Sequence, residues 1–279
     1  MTPAAPAQRP PLKLAIVGFG AIAQAMVRLI SSDPRLRIDQ VIVPASGVAE
    51  TQALCARLAP DATVGAALDL RPGQLPDLVA ECAGHSAIAA HVVPALQAGV
   101  PCVLASVGAL HDDALREQVE AAARAGGTRA QLIAGAIGAI DALSAAALGG
   151  LERITYIGRK PPLSWSGTPA EQAFDLAALK SPTVIFRGSA RQAAQQYPKN
   201  ANVAATVSLA TLGMDATQVE LIADPGVQRN VHAVKASGAF GQLELMLENL
   251  PLPDNPKSSA LTAYSLARAI RNRVDALTF

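Results

Sequence analysis

Cysteine is scarce in this sequence of 279 residues, and neither sign of charge dominates it. The three cysteines, Cys55, Cys82 and Cys102, are widely spaced and form no CxxC pair, so neither a disulfide framework nor a thiolate zinc site is indicated. The net charge is +1, from 23 basic and 22 acidic residues spread along the chain. Without a basic stripe to neutralise phosphates, we expect no nucleic-acid partner.

Long apolar runs are also missing. No run reaches the roughly 18 residues that a membrane span needs without a charge or a break. Residues 1–11 are rich in Pro and Ala and lack the apolar core of a signal peptide, so we expect a flexible tail and a cytoplasmic protein. The composition, 51% hydrophobic and 16% charged, is that of an ordered globular protein.

The first half of the chain predicts a parallel sheet. An apolar β-rich run at 12–17 leads into a glycine turn, a helical pattern to residue 30 and a second strand at 38–43, which together form a βαβ unit. Further strands are expected at 78–83, 101–105 and 130–133, with helices between them at 86–97 and 113–125. This alternation predicts an α/β protein with a doubly wound, Rossmann-type domain over residues 12–140.

The second half predicts an α+β domain over residues 141–257. We expect Asp141 to cap a helix at 142–148, and Asp224-Pro225-Gly226 to close a hairpin between strands 219–223 and 227–236. Strands without regular crossover helices suggest an antiparallel sheet. A serine-capped pattern at 258–272 predicts a terminal helix, which over 258–274 is expected to pack back onto the first domain.

The glycine turn predicts dinucleotide binding. Gly18 and Gly20 lie between a strand and a helix, with the small Ala23 at the third position of the motif. A pyrophosphate needs close access to backbone N–H groups at a helix N-terminus, so Gly18, Gly20, Ala21 and Ile22 are candidate cofactor contacts. The alternative is a purely structural turn.

The end of the second strand leaves the choice of cofactor open. An acidic residue there would bind the ribose 2′-hydroxyl of NAD and repel the 2′-phosphate of NADP. The strand instead runs into Val43-Pro44-Ala45-Ser46, and Asp39 lies too early, within the strand. The cofactor is therefore NAD or NADP.

Histidine suits proton exchange near neutral pH, and the chain has four. His91 and His111 are expected to be structural or solvated, whereas His85 follows a strand end near the expected nicotinamide. Cys82, His85 and His91 match no common metal site, and we expect no metal. His232 shares one face of a strand with Asn230, and a core role and a catalytic role both stay open for it.

Two stretches can recognise anions. Arg159 and Lys160 follow a strand, and Lys199 precedes a helix for which Asn202 is a natural N-cap. Capping alone explains Asn202, but a helix N-terminus beside a lysine can also hold a carboxylate.

Several motifs resemble the L-aspartate dehydrogenase family over nearly the whole chain. They are GFGAIA (18–23), SVGAL (106–110), GAIGAID (135–141), RKPP (159–162), YPKNANVA (197–204) and ADPGVQRNVH (223–232). The resemblance implies reversible oxidation of L-aspartate to iminosuccinate, which hydrolyses to oxaloacetate and ammonia and can supply pyridine nucleotide synthesis. It also implies that His232 is the active-site residue and that Ala136 and Asn202 contact the nicotinamide cofactor.

On that basis, neutral His232 would accept a proton from the substrate ammonium or activate the water that attacks the imine. Lys199, Lys160 or Arg159 would pair with the substrate carboxylates, with Asn230 beside them, and a homodimer is expected. Two alternatives remain. One is a related two-domain reductase of another small carboxylate or sugar, such as a dihydrodipicolinate reductase or an inositol dehydrogenase. The other is a non-catalytic NAD(H)-binding redox sensor.

Overall fold

A six-stranded parallel sheet forms the first part of the protein, seen in a computed structural model that describes residues 10–198, 202–253 and 255–279. The strands follow the order β3-β2-β1-β4-β5-β6, with every neighbouring pair parallel. This is the strand order of a Rossmann fold. The six strands are β1 (Leu12–Val17), β2 (Leu36–Ile42), β3 (Thr63–Gly65), β4 (Leu78–Glu81), β5 (Cys102–Leu104) and β6 (Ala130–Leu132).

Helices cover both faces of this sheet, because its strands alternate apolar side chains to either side. Leu14 and Ile16 of β1 belong to one buried cluster, and Ala15 and Val17 belong to another on the opposite face. The helices of this region are α1 (Ala21–Ile30), α2 (Val48–Leu58), α3 (His85–Ala87), α4 (Val93–Gln97) and α5 (Asp113–Ala125), with one π-helical turn (Ile88–Val92) between α3 and α4.

The second part is built on a five-stranded mixed sheet with the order β11-β10-β7-β9-β8. Its strands are β7 (Leu151–Lys160), β8 (Thr183–Ser189), β9 (Gln218–Ala223), β10 (Asn230–Gly238) and β11 (Gly241–Asn249). Its helices are α6 (Ile140–Gly150), α7 (Pro169–Ala173), α8 (Ala190–Gln196) and α9 (Asn202–Leu209). Buried residues of α6, α8 and α9 pack against the inner face of the sheet in one apolar cluster.

The chain ends back on the first sheet. A short antiparallel pair, β12 (Pro251–Leu252) and β13 (Asn255–Ser259), leads into α10 (Ala260–Arg271). The Ser259 hydroxyl accepts a hydrogen bond from the Leu261 N–H and so caps α10. Leu266 and Ile270 of α10 lie in the same buried cluster as Leu14 and Met26. Among the described residues, no helix has the length and apolar character to cross a membrane.

The predicted fold class, a Rossmann-type sheet with a second α+β domain, is confirmed. Two local expectations are wrong. The strands that flank Asp224 form no hairpin, because β7 lies between β9 and β10 and pairs with both of them. The second sheet is also not purely antiparallel, since β7 and β9 run parallel and are joined through β8, α8 and α9.

The start of α6 differs from the expectation as well. The helix begins at Ile140, and its N-cap position is Ala139, which has a left-handed backbone with φ of 56°. Asp141 therefore lies in the first turn, where its charge favours the positive end of the helix dipole, and does not cap the helix.

Candidate active site

A cleft opens between the carboxyl ends of the parallel strands and the inner face of the mixed sheet. Its walls bring together six predicted site residues: Ile22, Ala136, Asn202, Lys160, Asn230 and His232. Ligands of doubly wound sheets gather at this edge. The remaining lining residues are Ala105, Ile133, Ala134, Gly135, Val203, Thr206, Ser258, Ser259 and Thr262.

The two glycines of the turn meet different requirements. Gly18 has a φ of +88°, and a Cβ there would lie 2.6 Å from the Cα of Ala83, so the β4–α3 loop requires glycine at this position. Gly20 is the N-cap residue of α1 with φ −74°, and a Cβ there would meet nothing within 4 Å. The fold itself does not require glycine at position 20, and the open space over the start of α1 is where a pyrophosphate would need to approach.

His232 is almost fully buried, with 5% of its surface exposed. The Tyr156 hydroxyl lies 2.7 Å from its Nδ1, and the two rings are nearly parallel, with centroids 6.0 Å apart. Tyr156 on β7 and His232 on the adjacent strand β10 are diagonal neighbours, because the residue paired with His232 is Gly158. A Cβ at position 158 would lie 2.9 Å from the Tyr156 hydroxyl, so this glycine makes room for the tyrosine.

Lys160 brings a cationic group to the same cleft. Its Nζ lies 5.3 Å from the centroid of the Trp165 ring, within the range of a cation–π contact. Burial lowers the pKa of Lys160 to about 8. Burial and the nearby Lys160 lower the pKa of His232 to about 3, so the imidazole is neutral at physiological pH.

Asn202 joins the two halves of the cleft. Its Oδ1 accepts a hydrogen bond from the Gly108 N–H at 2.8 Å, so a residue of α9 is held against the loop that follows β5. A Cβ at Gly108 would lie 2.6 Å from that oxygen. The Asn202 amide oxygen therefore connects the two parts of the protein, and Asn202 is itself the first residue of α9. The capping role that the sequence suggested stays a prediction.

Ala136 lies in the loop after β6, and two hydrogen bonds from distant segments of the chain hold this loop in place. Its carbonyl oxygen accepts a hydrogen bond from the buried Asn249 side chain at 2.7 Å, and the Gly135 N–H donates to the Ser265 hydroxyl at 3.1 Å. The loop is thus fixed from β11 and from α10.

Sequence reasoning missed two polar residues that shape this edge. One is Tyr156, for which the spacing Tyr-x-Gly on a strand was the available signal. The other is Glu81, which is fully buried at the end of β4. Its carboxylate accepts hydrogen bonds from the N–H groups of Ala83, Gly84 and Ser106 and from the Ser106 hydroxyl, so it fixes two loops beside the cleft.

Three further predicted candidates among the described residues, Arg159, His85 and His111, are not part of the cleft lining. The Arg159 guanidinium pairs with the buried Asp224 at 3.0 Å. His85 and His111 line a neighbouring depression, and burial lowers the pKa of His85. His85 borders the cleft at Gly108, where a Cβ would lie 2.6 Å from Asn202 Oδ1 and 3.1 Å from His85 Nε2. Lys199 lies outside the described residues. Within the described segments, no three His, Cys, Asp or Glu side chains form a group that could hold a metal ion.

Family models match both parts of the chain. Residues 18–132 match the model described as the NAD-binding domain of homoserine dehydrogenase, and residues 141–273 match the model described as aspartate dehydrogenase, C-terminal. The first match confirms the predicted nicotinamide dinucleotide cofactor, NAD or NADP. The second covers β7 to β11 and therefore Lys160, Asn230 and His232.

Curated relatives match along nearly their whole length. The chain is 55% identical over 267 residues to the L-aspartate dehydrogenase of Cupriavidus taiwanensis, covering 96% of this chain and 99% of the relative. It is 54% identical to that of Pseudomonas aeruginosa, with the same coverage. The crystal structure of aspartate dehydrogenase from Thermotoga maritima superposes with a TM-score of 0.75 at 26% identity, covering 96% of this chain and 99% of that one. The chain belongs to the L-aspartate dehydrogenase family, as its motifs predicted.

Proposed function

We propose that this protein oxidises L-aspartate to iminosuccinate with NAD or NADP, reversibly, and that iminosuccinate then hydrolyses to oxaloacetate and ammonia. The observation that carries the proposal is the cleft itself. Its walls combine a neutral histidine and a lysine from the mixed sheet with small residues from the carboxyl ends of the parallel strands. A dicarboxylate substrate and a dinucleotide would need these two kinds of surface, facing each other.

Gly18, Gly20, Ala21 and Ile22 are our candidates for holding the dinucleotide, with Ala136 and Asn202 beside its nicotinamide. The open space at the Cβ position of Gly20, over the N-terminus of α1, fits a pyrophosphate. When bound, the nicotinamide supplies the acceptor for the hydride that leaves the substrate Cα. No protein side chain has to take up those electrons.

The substrate brings two carboxylates and an ammonium group. We propose that Lys160 pairs with one carboxylate and that Asn230 donates its amide hydrogens beside it, because a buried anion needs charged or hydrogen-bonding partners. Lys199 is retained as a second cation on sequence grounds alone. The ammonium must lose one proton for the C=N bond to form. We propose His232 as the catalytic residue, in contact with the substrate in the cleft that it lines.

We further propose a division into a Rossmann domain of residues 12–140, completed by a helix over 258–274, and a substrate domain of residues 141–257. The gap between the two family matches, at residues 133–140, supports the boundary between the two domains. The packing of Leu266 and Ile270 with Leu14 and Met26 supports the place of the helix. We also propose a cytoplasmic location. Its support is that Cys55, Cys82 and Cys102 are free thiols, as is usual in a reducing compartment.

A homodimer is proposed through the outer face of the mixed sheet. Ala233 on this face is paired with Ile157 on one side and with Met246 on the other, and Met246 is 72% exposed. An apolar row of this kind favours a protein contact. Sedimentation of the protein and of Met246→Lys tests it: the variant should shift to monomer, and a wild-type monomer contradicts the proposal.

A substrate panel tests the activity. The purified protein is assayed for reduction of NAD and NADP with L-aspartate, D-aspartate, L-glutamate and L-malate. We expect turnover with L-aspartate and far less with the other three. Preferred turnover of L-malate or L-glutamate would indicate a related dehydrogenase of another small carboxylate. Tight cofactor binding without any turnover would favour a redox sensor.

A further inference from the structure

The residues around His232 determine which ring nitrogen of the imidazole carries its hydrogen, as well as where the ring lies. On the inner face of the mixed sheet, the Tyr156 hydroxyl, the glycine at position 158 and the buried imidazole of His232 lie next to one another. Tyr156 and Gly158 are two residues apart on β7, and His232 is the partner of Gly158 on β10. The hydroxyl of Tyr156 extends past Gly158 to reach Nδ1 of His232 at 2.7 Å.

The direction of this hydrogen bond follows from counting hydrogens. The Tyr156 hydroxyl is buried, and Nδ1 of His232 is its hydrogen-bond partner within the described segments. If Nδ1 carried the hydrogen and donated it, the hydroxyl hydrogen of Tyr156 would have no acceptor, which is costly in a buried site. If the hydroxyl donates, both groups are satisfied.

The protonation of both groups agrees with that direction. Burial raises the pKa of Tyr156, so the phenol keeps its hydrogen. Burial and the charge of Lys160 lower the pKa of His232 to about 3, so the imidazole carries a single N–H. With Nδ1 accepting from Tyr156, that N–H is on Nε2, the ring nitrogen left for the cleft that His232 lines.

We propose that Tyr156 is a positioning residue that holds His232 as the Nε2–H tautomer, so that His232 meets a carboxylate oxygen of the substrate as a hydrogen-bond donor. The inference rests on the proposed function for the identity of the substrate. It replaces the role of proton acceptor, because the lone pair of the neutral ring lies at Nδ1 and is covered by Tyr156. Lys160 and His232 then both donate into the cleft, as a dicarboxylate requires. The ammonium proton goes to another acceptor, such as water.

Gly158 is part of the same arrangement. Its backbone does not require glycine through a positive φ, but a Cβ would lie 2.9 Å from the Tyr156 hydroxyl and 3.2 Å from Cδ2 of Leu221. Gly158→Ala should therefore push the hydroxyl away from His232 while keeping the hydroxyl in the protein. It provides a second perturbation of the same hydrogen bond by a different chemical change.

The test reads the tautomer directly, by NMR of the full-length protein labelled with ¹⁵N-histidine. The His232 signal is assigned by its disappearance in His232→Gln, since the chain has four histidines. We expect the wild-type ring to be neutral with its hydrogen on Nε2. In Tyr156→Phe and in Gly158→Ala, we expect a mixture of the Nε2–H and Nδ1–H tautomers. A wild-type ring with the hydrogen on Nδ1 overturns the proposal.

Kinetics of the same variants test the consequence for the substrate. In Tyr156→Phe and Gly158→Ala, kcat/KM for L-aspartate should fall on the order of tenfold, mainly through KM, with cofactor affinity unchanged, as expected for one weakened hydrogen bond. The matched control is Tyr197→Phe, which removes a buried hydroxyl from the same apolar cluster and should leave KM unaltered.

An unchanged KM in both variants, or an equal loss in Tyr197→Phe, would refute the positioning role. His232→Gln should recover part of the aspartate affinity that His232→Ala loses, since an amide also donates; no recovery at all would count against a donor. A wild type that fails to oxidise L-aspartate would instead overturn the proposed function. The NMR measurement would still decide the tautomer in that case.

Discussion

Lys160 and His232 line the same cleft, but at neutral pH the lysine is charged and the histidine is neutral. Burial lowers the pKa of both groups, to about 8 for the lysine and about 3 for the histidine. A lowered pKa means that the charged form is present only below that value. His232 is therefore neutral throughout the working range of pH, whereas Lys160 is a cation at neutral pH and loses its charge as the pH rises through about 8.

This difference predicts the pH dependence of dicarboxylate binding. Succinate carries no amine, so its competitive inhibition reports the protein's groups alone. Its inhibition constant should rise on the order of tenfold between about pH 7 and about pH 10, as a charge-assisted contact is lost. Lys160→Met should bind succinate weakly at every pH. A wild-type constant that stays flat across this range would exclude Lys160 as the carboxylate partner.

Within one turn, Gly18 is required by the fold, whereas Gly20 is not and leaves space for a ligand. Since a Cβ at position 20 meets nothing within 4 Å, Gly20→Val should fold with an unchanged melting temperature and lose NAD(P) affinity by about 100-fold or more, because the branched side chain takes the pyrophosphate's space. Gly149→Val, at another open glycine, is the control and should bind normally. Calorimetry that finds full affinity in a folded Gly20→Val would remove the turn from the cofactor site.

At the scale of elements, the end of β2 determines which cofactors are accepted. Asp39 lies within β2 and pairs with Arg37, while the residues after the strand, Pro44 and Ala45, are exposed and uncharged. Residues 43–49, which follow the strand directly, include no Asp or Glu that would repel a 2′-phosphate. We therefore expect measurable activity with both NAD and NADP.

A carboxylate placed at the end of β2 should change that balance. Ala45→Asp should lower kcat/KM for NADP on the order of tenfold and leave that for NAD nearly unchanged, because like charges are brought together. Ala45→Asn has the same size without the charge and should discriminate little. Equal losses with both cofactors in Ala45→Asp would mean that the adenosine ribose lies elsewhere.

Elements with local determinants were predictable from the sequence. The β1–turn–α1 unit and α5 follow from apolar periodicity and caps, and α5 has the expected bounds with Asp112 as its N-cap. The true pairing of the strands that flank Asp224 was not predictable, and the expected hairpin is absent. The local turn chemistry is present, since Asp224 Oδ1 accepts a hydrogen bond from the Gly226 N–H at 2.7 Å. The partner strands of β9 are nevertheless β7 and β8, which both precede it in the chain. Turn residues specify a reversal and not the neighbouring strand.

In the site, too, the local motifs were predictable from the sequence and the contacts between distant segments were not. Gly20, Asn202 and His232 stand in motifs that can be recognised one at a time. The contacts that tune them come from distant segments: Tyr156 for His232, Gly108 for Asn202, and Asn249 for the Ala136 loop. These pairs depend on strand register and on packing between the two sheets, which periodicity alone does not give.

At the scale of the whole molecule, the cleft exists only because two sheets meet. Besides Asn202, Arg191 of α8 pairs with Asp113 of α5 at 3.0 Å and with Asp215, and its guanidinium donates to the His111 carbonyl. Cofactor phosphates and substrate carboxylates would therefore rest on different parts of one connected structure. A change on the mixed sheet should then affect the substrate reaction without affecting the binding of the dinucleotide.

The decisive variant for the role of the cleft is His232→Ala, measured as kcat/KM for L-aspartate alongside NAD(P) affinity and melting temperature. We expect a loss of about 100-fold or more in kcat/KM, with cofactor affinity unchanged and a folded protein. If His232 only fills the core, the melting temperature falls while turnover per folded molecule is kept. Near-normal aspartate oxidation by a well-folded His232→Ala would contradict the assignment of this cleft as the active site.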